Sequence, residues 1–340
     1  MAGQENVRYK VVVIGGGTGL STILRGLKRK NLDLTAIVTV ADDGGSSGRL
    51  RKEMNMPPPG DIRNVLVALA EKEPLLLSLL EHRFQNGNGL AGHSLGNLLI
   101  AAMQEITGDF VEGIKELSKV LAVRGRVYPA ANQSLCLEAR MNDGTRVIGE
   151  SNITNARKKI ERISLSPPNV RALPEAVEAI HEADLILIGP GSLYTSVIPN
   201  LLVEEIREAL LHAPAHKIYI CNVMTQPGET DGYAASDHVK AIYEHVESPL
   251  FATIIVNTGQ IPKDVVQKYA AEGSIPVRYV EGSLDKYNLY VIKATIFQVG
   301  NYLRHDALKL ADIIMDYLHQ HAGQKSRTVV PLTRIREEMG

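Results

Sequence analysis

The chain has 340 residues, 44% of them hydrophobic, which is enough for one large α/β domain or two smaller ones. Its 37 Lys and Arg residues balance 38 Asp and Glu residues, so no net charge attracts nucleic acid or an anionic membrane, and any basic site must be a local pocket. Two cysteines disfavour a disulfide framework, and neither a signal core nor an apolar run of the roughly 20 residues of a membrane span is present. We therefore expect a cytoplasmic globular protein with no nucleic-acid partner and no membrane span.

The segment YKVVVIGGGTGLSTILRGLKRK, which begins at Tyr9, predicts a buried strand, a tight turn and an amphipathic helix. A second buried strand follows in LTAIVTVADDGG, and later ones in ADLILIGPG, HKIYICNV, LFATIIVNTG and LYVIKATIF, mostly separated by helical patterns. Strands buried on both faces and alternating with helices predict a Rossmann-like, doubly wound, mainly parallel sheet. We expect a single domain over residues 8–322.

Two regions interrupt this alternation. Residues 61–123 are helical in pattern throughout and predict a helical insertion packed on the sheet. Between residues 126 and 163, the runs SLCLEARMNDG and TRVIGESN predict strands of a β-hairpin excursion that turns at Asn142-Asp143-Gly144. Residues 323–340 are expected to form a loosely held tail.

Small and polar residues follow five of the predicted strands. They occupy residues 15–19, 42–48, 189–192, 222–228 and 257–259. Because ligands of open α/β sheets bind outside the carboxyl ends of the strands, these segments predict one lined crevice.

The first glycine loop indicates phosphate binding, because its backbone can approach a phosphate at the positive end of the following helix. A purely structural tight turn is the alternative. Leu20 stands where a dinucleotide fingerprint has its third glycine, and no Gly-Lys-Ser or Gly-Lys-Thr follows to make a Walker loop. A nicotinamide-dependent oxidoreductase is therefore disfavoured, although NAD could occupy the same crevice.

The second strand ends in Asp42 and Asp43, which fit three interpretations. They could bind a ribose, hold Mg²⁺ on a diphosphate, or cap a short turn. They are also the only candidates for catalytic residues. Gly191 and Ser192 similarly belong either to a second anion-binding nest or to a rigid crossover turn.

Two helix starts carry further candidates. His93 and Asn97 flank a glycine in a first helical turn, which suggests either close approach by a ligand or ordinary helix packing. Asp61 could cap its helix, or its segment could join Arg49, Arg51 and Arg63 in clamping phosphate oxygens. No zincin spacing and no Gly-x-Ser-x-Gly elbow appears, so the motifs favour phosphate chemistry.

Six motifs in order make the chain resemble the bacterial gluconeogenesis factor family, the YvcK type. They are GGGTGLS, TVADDGGSSGRLR, PPGDIRN, GHSLGNL, GPGSLYTSVIPNLL and NVMTQPGET, within a similarity over roughly residues 9 to 320. The family is similar in turn to 2-phospho-lactate transferase, which moves a phosphate-linked group from a guanosine diphosphate donor to a flavin-like acceptor.

The resemblance implies a cytoplasmic regulatory factor that binds UDP-sugars such as UDP-GlcNAc and supports growth, cell shape and cell-wall homeostasis under gluconeogenic conditions. A homo-oligomer and a regulatory protein partner are compatible with it. The alternative is a Mg²⁺-dependent transferase acting on a nucleoside diphosphate donor, with the metal on Asp42 or Asp43.

The candidate ligand-binding residues combine those carried over by resemblance with the neighbouring strand ends. They are Gly16, Gly17, Thr18, Gly19, Asp42, Asp43, Ser46, Ser47, His93, Asn97, Gly191, Ser192, Asn222, Thr225 and Asn257, with Tyr269 and Arg304 towards the sugar end. Among these, Asn222, Thr225 and Asn257, together with Gln226, are expected to read the uracil edge.

Overall fold

The structure, a computed structural model, describes residues 8–71 and 74–321. The strands are β1 (Tyr9–Gly15), β2 (Leu32–Val38), β3 (Arg126–Pro129), β4 (Cys136–Met141), β5 (Arg146–Ile148), β6 (Ile160–Ser166), β7 (Leu185–Ile188), β8 (His216–Ile220), β9 (Thr253–Asn257), β10 (Tyr290–Ala294), β11 (Phe297–Val299) and β12 (Leu303–His305). The helices are α1 (Gly17–Leu27), α2 (Gly45–Glu53), α3 (Gly60–Leu69), α4 (Pro74–Glu81), α5 (Leu95–Thr107), α6 (Phe110–Val120), α7 (Glu150–Asn155), α8 (Pro174–Glu182), α9 (Ile198–Leu201), α10 (Glu204–His212), α11 (Ala235–Val246), α12 (Lys263–Ala271) and α13 (Ala307–His321).

The main sheet has seven strands in the order β10-β9-β8-β7-β1-β2-β3, and all neighbours are parallel. The chain runs outward from β1 to β3, returns to β7 beside β1, and then runs outward in the opposite direction. The order of strands therefore reverses between β1 and β7. Since right-handed crossovers follow both directions, α1 lies on one face of the sheet and α10 on the other. The doubly wound parallel sheet predicted from the sequence is confirmed.

The two central strands at this reversal are buried on both faces. Four residues of β1, Val11 to Ile14, and all four of β7, Leu185 to Ile188, are at most 2% exposed. This burial explains their uninterrupted apolar sequences, because a strand covered by helices on both faces has no polar alternation. On one face α1 packs between α3 and α13, and on the other α8 packs against α10.

The helices α3 to α6 lie between β2 and β3, where the sequence predicts the helical insertion. The glycine-serine stretch before them forms α2, a helix that the sequence pattern does not reveal. Its residues Gly45 to Gly48 make the first turn, after Gly44 in extended backbone. The nest after β2 is therefore a helix N-terminus.

The excursion forms a three-stranded antiparallel sheet in the order β5-β4-β6. Gly144 makes the expected turn with a φ of 82°. The second half of TRVIGESN, however, is helical: β5 ends at Ile148, Gly149 has a φ of 96°, and α7 begins at Glu150. The run LYVIKATIF likewise divides into β10 and β11.

None of the helices among residues 8–71 and 74–321 is long and apolar enough to span a membrane. The tail predicted at residues 323–340 lies outside the described residues.

Candidate functional site

The crevice at the carboxyl ends of β1 and β7 brings two glycine loops into direct contact. A Cβ on Gly19 would lie 2.6 Å from the carbonyl oxygen of Pro190, and one on Gly191 would lie 3.2 Å from the carbonyl oxygen of Gly16. Gly16 is equally enclosed, since its Cβ would lie 2.6 Å from Oδ2 of Asp61. These three positions are glycines because the protein's own atoms pack against them.

Gly17 is partly exposed and differs from Gly16 and Gly19 because it is less tightly packed. Its φ is +62°, and a Cβ there would find its nearest atom, Oγ of Ser196, at 3.7 Å. Gly17 opens α1, whose first-turn N–H groups have no partner within the helix, and the next side chain, Thr18, is exposed. The loop thus leaves room for a ligand at Gly17 and Thr18, beside the positive end of α1.

Asp42 and Asp43 make contacts with different elements. Asp42 Oδ1 accepts a hydrogen bond from Gly44 N at 2.9 Å, while its Oδ2 would lie 2.7 Å from a Cβ on Gly60 at the start of α3. Asp43 Oδ1 accepts from Ser151, from its N–H at 3.0 Å and from its hydroxyl at 2.7 Å, and so caps the first turn of α7. The turn-capping interpretation therefore has structural support for both aspartates.

Asp42 also has two acidic neighbours that no sequence pattern places with it, Asp61 and Glu150. Burial, and then the charge of Asp42, raises the pKa of Asp61 to about 7. Burial, and then the charges of Asp61 and Asp42, raises the pKa of Glu150 to about 9. Asp61 stands in the PPGDIRN motif, but no local pattern marks Glu150, which reaches the crevice from α7.

The candidates on α2 and α5 form one buried network. Ser46 Oγ lies 2.9 Å from Nδ1 of His93, and Asn97 Nδ2 donates to Ser46 Oγ at 3.2 Å and to Ser47 Oγ at 3.4 Å. All four side chains are at most 3% exposed. Burial lowers the pKa of His93, so the ring favours its neutral form. The network fastens the first turn of α2 to the first turn of α5.

Two of the three arginines expected near a phosphate are also engaged by the protein. Arg49 donates to the carbonyl oxygens of Ala91 at 2.7 Å and Gly89 at 2.8 Å. Arg63 donates to Ser94 Oγ at 2.8 Å and Asn64 Oδ1 at 2.6 Å. Both guanidinium groups hold the helical insertion in place.

Asn222, after β8, fixes the loop after β7. Its Oδ1 accepts from Gly191 N at 3.2 Å and its Nδ2 donates to Gly191 O at 2.8 Å. Ser192 follows in the half-buried part of this loop and precedes a π-helical turn, Leu193–Val197, that continues into α9. The amide of Asn222 therefore sets the backbone beside Gly16.

A second buried carboxylate, that of Glu229, anchors the start of this π-helical turn. It accepts hydrogen bonds from Tyr194 N at 3.2 Å, Thr195 Oγ1 at 3.1 Å and Gln226 Nε2 at 2.8 Å. Thr154 Oγ1 of α7 lies 3.4 Å from it. Burial raises the pKa of Glu229 to about 7. This residue belongs to the NVMTQPGET motif, but only the three-dimensional contacts show its role.

The remaining predicted base-reading groups already bond other groups of the protein. Thr225 Oγ1 accepts from Ile275 N at 2.9 Å, and Gln226 is held by Glu229. Asn257 Oδ1 accepts from Gly259 N and Ile296 N, both at 3.3 Å, and its Nδ2 donates to Gly259 O at 3.0 Å. Base reading by these side chains stays a prediction, since a base would compete with these bonds.

Tyr269 contacts the β11–β12 hairpin, to which Arg304 belongs. The Tyr269 hydroxyl accepts from Leu303 N at 2.8 Å, and the exposed Arg304 guanidinium lies 5.9 Å from the ring centre of Tyr302. His305 Nε2 donates to the carbonyl oxygen of Cys221, after β8, at 3.2 Å. The hairpin therefore lies at the carboxyl end of β8, on the rim of the same crevice.

The part of the chain that the structure describes holds no group of three or more His, Cys, Asp or Glu side chains arranged to bind a metal ion. Any ion at the crevice would thus depend on two carboxylates together with ligand and water oxygens.

Comparison with known proteins links this geometry to one family. The model of the family described as 2-phospho-L-lactate transferase CofD matches residues 11–297. The gluconeogenesis factor of Bacillus subtilis (strain 168) is 55% identical over 312 residues, which cover 92% of this chain and 98% of that protein. The gluconeogenesis factor of Halalkalibacterium halodurans is 57% identical over 310 residues, covering 91% and 96%.

A solved structure shows the same fold. The crystal structure of a UPF0052 family member from Bacillus halodurans superposes with a TM-score of 0.89 at 56% identity, covering 91% of this chain and 99% of that one.

Proposed function

We propose that this chain, which belongs to the 2-phospho-L-lactate transferase CofD family, is a regulatory factor that binds a nucleoside diphosphate sugar and supports growth under gluconeogenic conditions. The names of its relatives from Bacillus subtilis and Halalkalibacterium halodurans support the physiological part of this proposal. The ligand class is a UDP-sugar such as UDP-GlcNAc, bound in the cytoplasm, and its level would report on the supply of cell-wall precursors.

The observation that carries the proposal is the turn at Gly17, which is partly exposed and where an added Cβ would meet no protein atom closer than 3.7 Å. The N-terminus of α1 lies at the strand reversal, where ligands of doubly wound sheets bind, and the N-terminus of α2 follows the neighbouring strand β2. The N–H groups of their first turns have no partner within the helices and, apart from that of Gly17, which donates to the Asp61 carboxylate, can donate to phosphate oxygens. Among the glycines of the first loop, Gly17 alone combines a left-handed backbone with the absence of any protein atom within 3.4 Å of an added Cβ.

The polar side chains beside the crevice already bond other groups of the protein, which favours a binding function over catalysis. Ser46 and His93 form a hydroxyl–imidazole pair, but both side chains are buried and bonded to each other, and Ser46 also accepts from Asn97. Their contacts build the walls of the crevice. A sensor requires such rigid walls, because it must bind its ligand without a reactive side chain that would attack it.

A transferase is the second candidate, and the Asp42–Asp61 pair favours it. Two carboxylates beside a diphosphate site are the ligands that Mg²⁺ usually takes from a protein, with phosphate oxygens completing the shell. Of the two aspartates predicted as metal ligands, Asp42 fits this arrangement, while Asp43 is turned to α7. Mg²⁺ would offset the charge of the diphosphate in this acidic crevice.

A turnover assay separates the two functions. The purified protein is incubated with UDP-GlcNAc or a GDP-linked donor, with Mg²⁺ or with EDTA, and free nucleotide is measured alongside a thermal-shift titration. A ligand at a hundred times its dissociation constant stabilises the protein by about 2.7 kcal/mol. The regulatory proposal predicts stabilisation without release of free nucleotide. Mg²⁺-dependent release that is lost in Asp42→Asn would establish the transferase instead.

A further inference from the structure

An acidic groove lies between α8 and α10, on the face of the sheet opposite α13. It encloses about 510 Å³ and combines an apolar floor with carboxylates on its walls. The floor is formed by Ala172, Pro174 and Val177, and the carboxylates are those of Glu178, Glu182 and Glu205. No lysine or arginine is among the described residues that line it.

The three carboxylates are only partly neutralised. Glu182 pairs with Lys10 at 2.9 Å and Glu205 with Arg171 at 2.6 Å, both across exposed surface where ion pairs contribute little. Glu178 forms no hydrogen bond or ion pair with any residue in the described ranges. The groove therefore favours an occupant with an apolar centre and basic flanks.

The described chain ends close to this groove. Tyr9 and Lys10 are consecutive in β1, so their side chains point to opposite faces of the sheet. The Tyr9 ring lies 6.3 Å from the ring of His319 in the last turn of α13, while Lys10 bonds Glu182 at the end of α8. The end of α13 and the end of the groove therefore lie on opposite faces of the sheet, beside the same end of β1.

We propose that the segment of residues 325–336 binds in the groove between α8 and α10 of its own chain. Its sequence, KSRTVVPLTRIR, has two basic residues at each end, apolar residues between them and no acidic residue. The apolar run matches the floor, and the basic flanks match the carboxylates. The N-terminal residues 1–7, MAGQENV, contain an acidic residue and no basic one, and are a poorer match.

Tethering makes weak contacts sufficient for this docking. Exposed ion pairs supply about 0.2–1 kcal/mol each, which alone would give a separate peptide little affinity. A segment joined to α13 by a few residues is instead present at an effective concentration on the order of millimolar. The groove lies on a face away from the crevice. The docking proposal therefore does not depend on whether the crevice binds the proposed ligand.

A zero-length carbodiimide cross-link on the intact chain tests this contact. Lys325 is the one lysine of residues 322–340, and we expect mass spectrometry to find its amine joined to Glu178, Glu182 or Glu205 in monomeric protein. Lys325→Arg keeps the charge and removes the reactive amine, so these cross-links must disappear in that variant. Their absence from the unmodified chain overturns the proposal, and so does a cross-linked dimer that increases with concentration, which would make a second copy the occupant.

Limited trypsin digestion of the intact chain gives a second readout. Glu178→Lys should speed cleavage after Arg327 about threefold, because it replaces one attractive contact of the docked segment by a repulsive one. Glu272→Lys, at an exposed position after α12, is the matched control and should leave the rate unchanged. Equal cleavage rates in both variants contradict docking in this groove.

Discussion

At the scale of single residues, the glycines of the first loop serve two different purposes. The sequence predicts a phosphate site from the run Gly15 to Gly19 as a whole, since every glycine permits close approach. The structure divides the run: Gly16 and Gly19 accommodate Asp61 and Pro190, whereas a Cβ on Gly17 would make only ordinary contacts, the nearest at 3.7 Å. Sequence alone does not separate these roles, because the contacting residues lie far along the chain.

Gly17→Val tests this less tightly packed position. Its φ of +62° makes a branched side chain strained, which costs roughly 1–2 kcal/mol, and the side chain would fill the space for a phosphate. Gly144→Val is the matched control, because Gly144 has a φ of +82°, no atom within 4 Å of an added Cβ, and a place in a distant hairpin turn. Urea denaturation should show similar losses of stability in both variants, and calorimetry should show lost UDP-GlcNAc binding only in Gly17→Val. Equal affinity in the two variants would make the first loop purely structural.

Asn222→Ala tests whether this amide reads the base or positions the loop. Both of its polar atoms bond the backbone of Gly191, so the variant should weaken binding of UDP- and GDP-sugars by the same factor. Asn222→Asp, which keeps the acceptor and loses the donor, should have an intermediate effect. A loss confined to uridine nucleotides, measured by calorimetry, would restore the base-reading role predicted from the sequence.

At the scale of elements, the crevice collects carboxylates from the end of β2, α3, α7 and the segment after β8. Asp42 and Asp61 belong to motifs that the sequence displays, but only the structure brings the two carboxylates together. Glu150 could not be predicted, because it depends on how the three-stranded sheet docks α7 onto Asp43. That docking is a tertiary event with no local periodicity.

Glu150→Gln tests how the neighbouring carboxylates of the crevice affect the stability of the fold. A carboxyl group whose pKa rises from 4.5 to about 9 on folding favours the folded state fully below pH 4.5 and loses that contribution as pH rises towards 9. The pKa values of Asp61 and Glu229, raised to about 7, act in the same direction. Without metal or ligand, the free energy of unfolding should therefore fall between pH 5 and pH 9.

Replacing Glu150 by Gln removes the largest of these contributions, so urea denaturation in EDTA should show a smaller fall in stability over the same pH range. Glu272→Gln, at an exposed site, should keep the slope of the unmodified protein. Identical slopes in Glu150→Gln and the unmodified protein would show that Glu150 remains solvated.

At the scale of the whole molecule, the fold could be predicted because its strands are continuous apolar runs followed by glycines. That pattern belongs to parallel strands covered on both faces, and ligands of such sheets bind at the carboxyl ends of the strands, so the pattern also predicts where the crevice lies. The three-stranded sheet was only half predicted: the β4–β5 hairpin is present, but its third strand β6, with an irregular burial pattern, and α7, which follows β5, were not expected. Short elements at the edge of a domain depend more on their contacts than on their own sequence.

Selectivity among nucleotides is a property of the whole crevice. We expect UDP-sugars to bind about tenfold more tightly than GDP-sugars or NAD, a difference of roughly 1.4 kcal/mol. Because the amides of Asn222 and Asn257 bond other protein groups, we expect backbone groups and the exposed Arg304 at the rim to provide this discrimination. Competition titrations against UDP-GlcNAc measure the ratios, and equal affinities would reduce the crevice to a generic diphosphate site.

Calorimetric titration of the unmodified protein with UDP-GlcNAc, in Mg²⁺ and in EDTA, tests most directly whether the crevice binds a nucleoside diphosphate sugar. We expect saturable binding of one ligand per chain that disappears in Gly17→Val and persists in Gly144→Val. A protein that gives no binding heat and no thermal shift with UDP-GlcNAc, GDP-mannose or NAD, while Gly17→Val remains folded, would contradict this function.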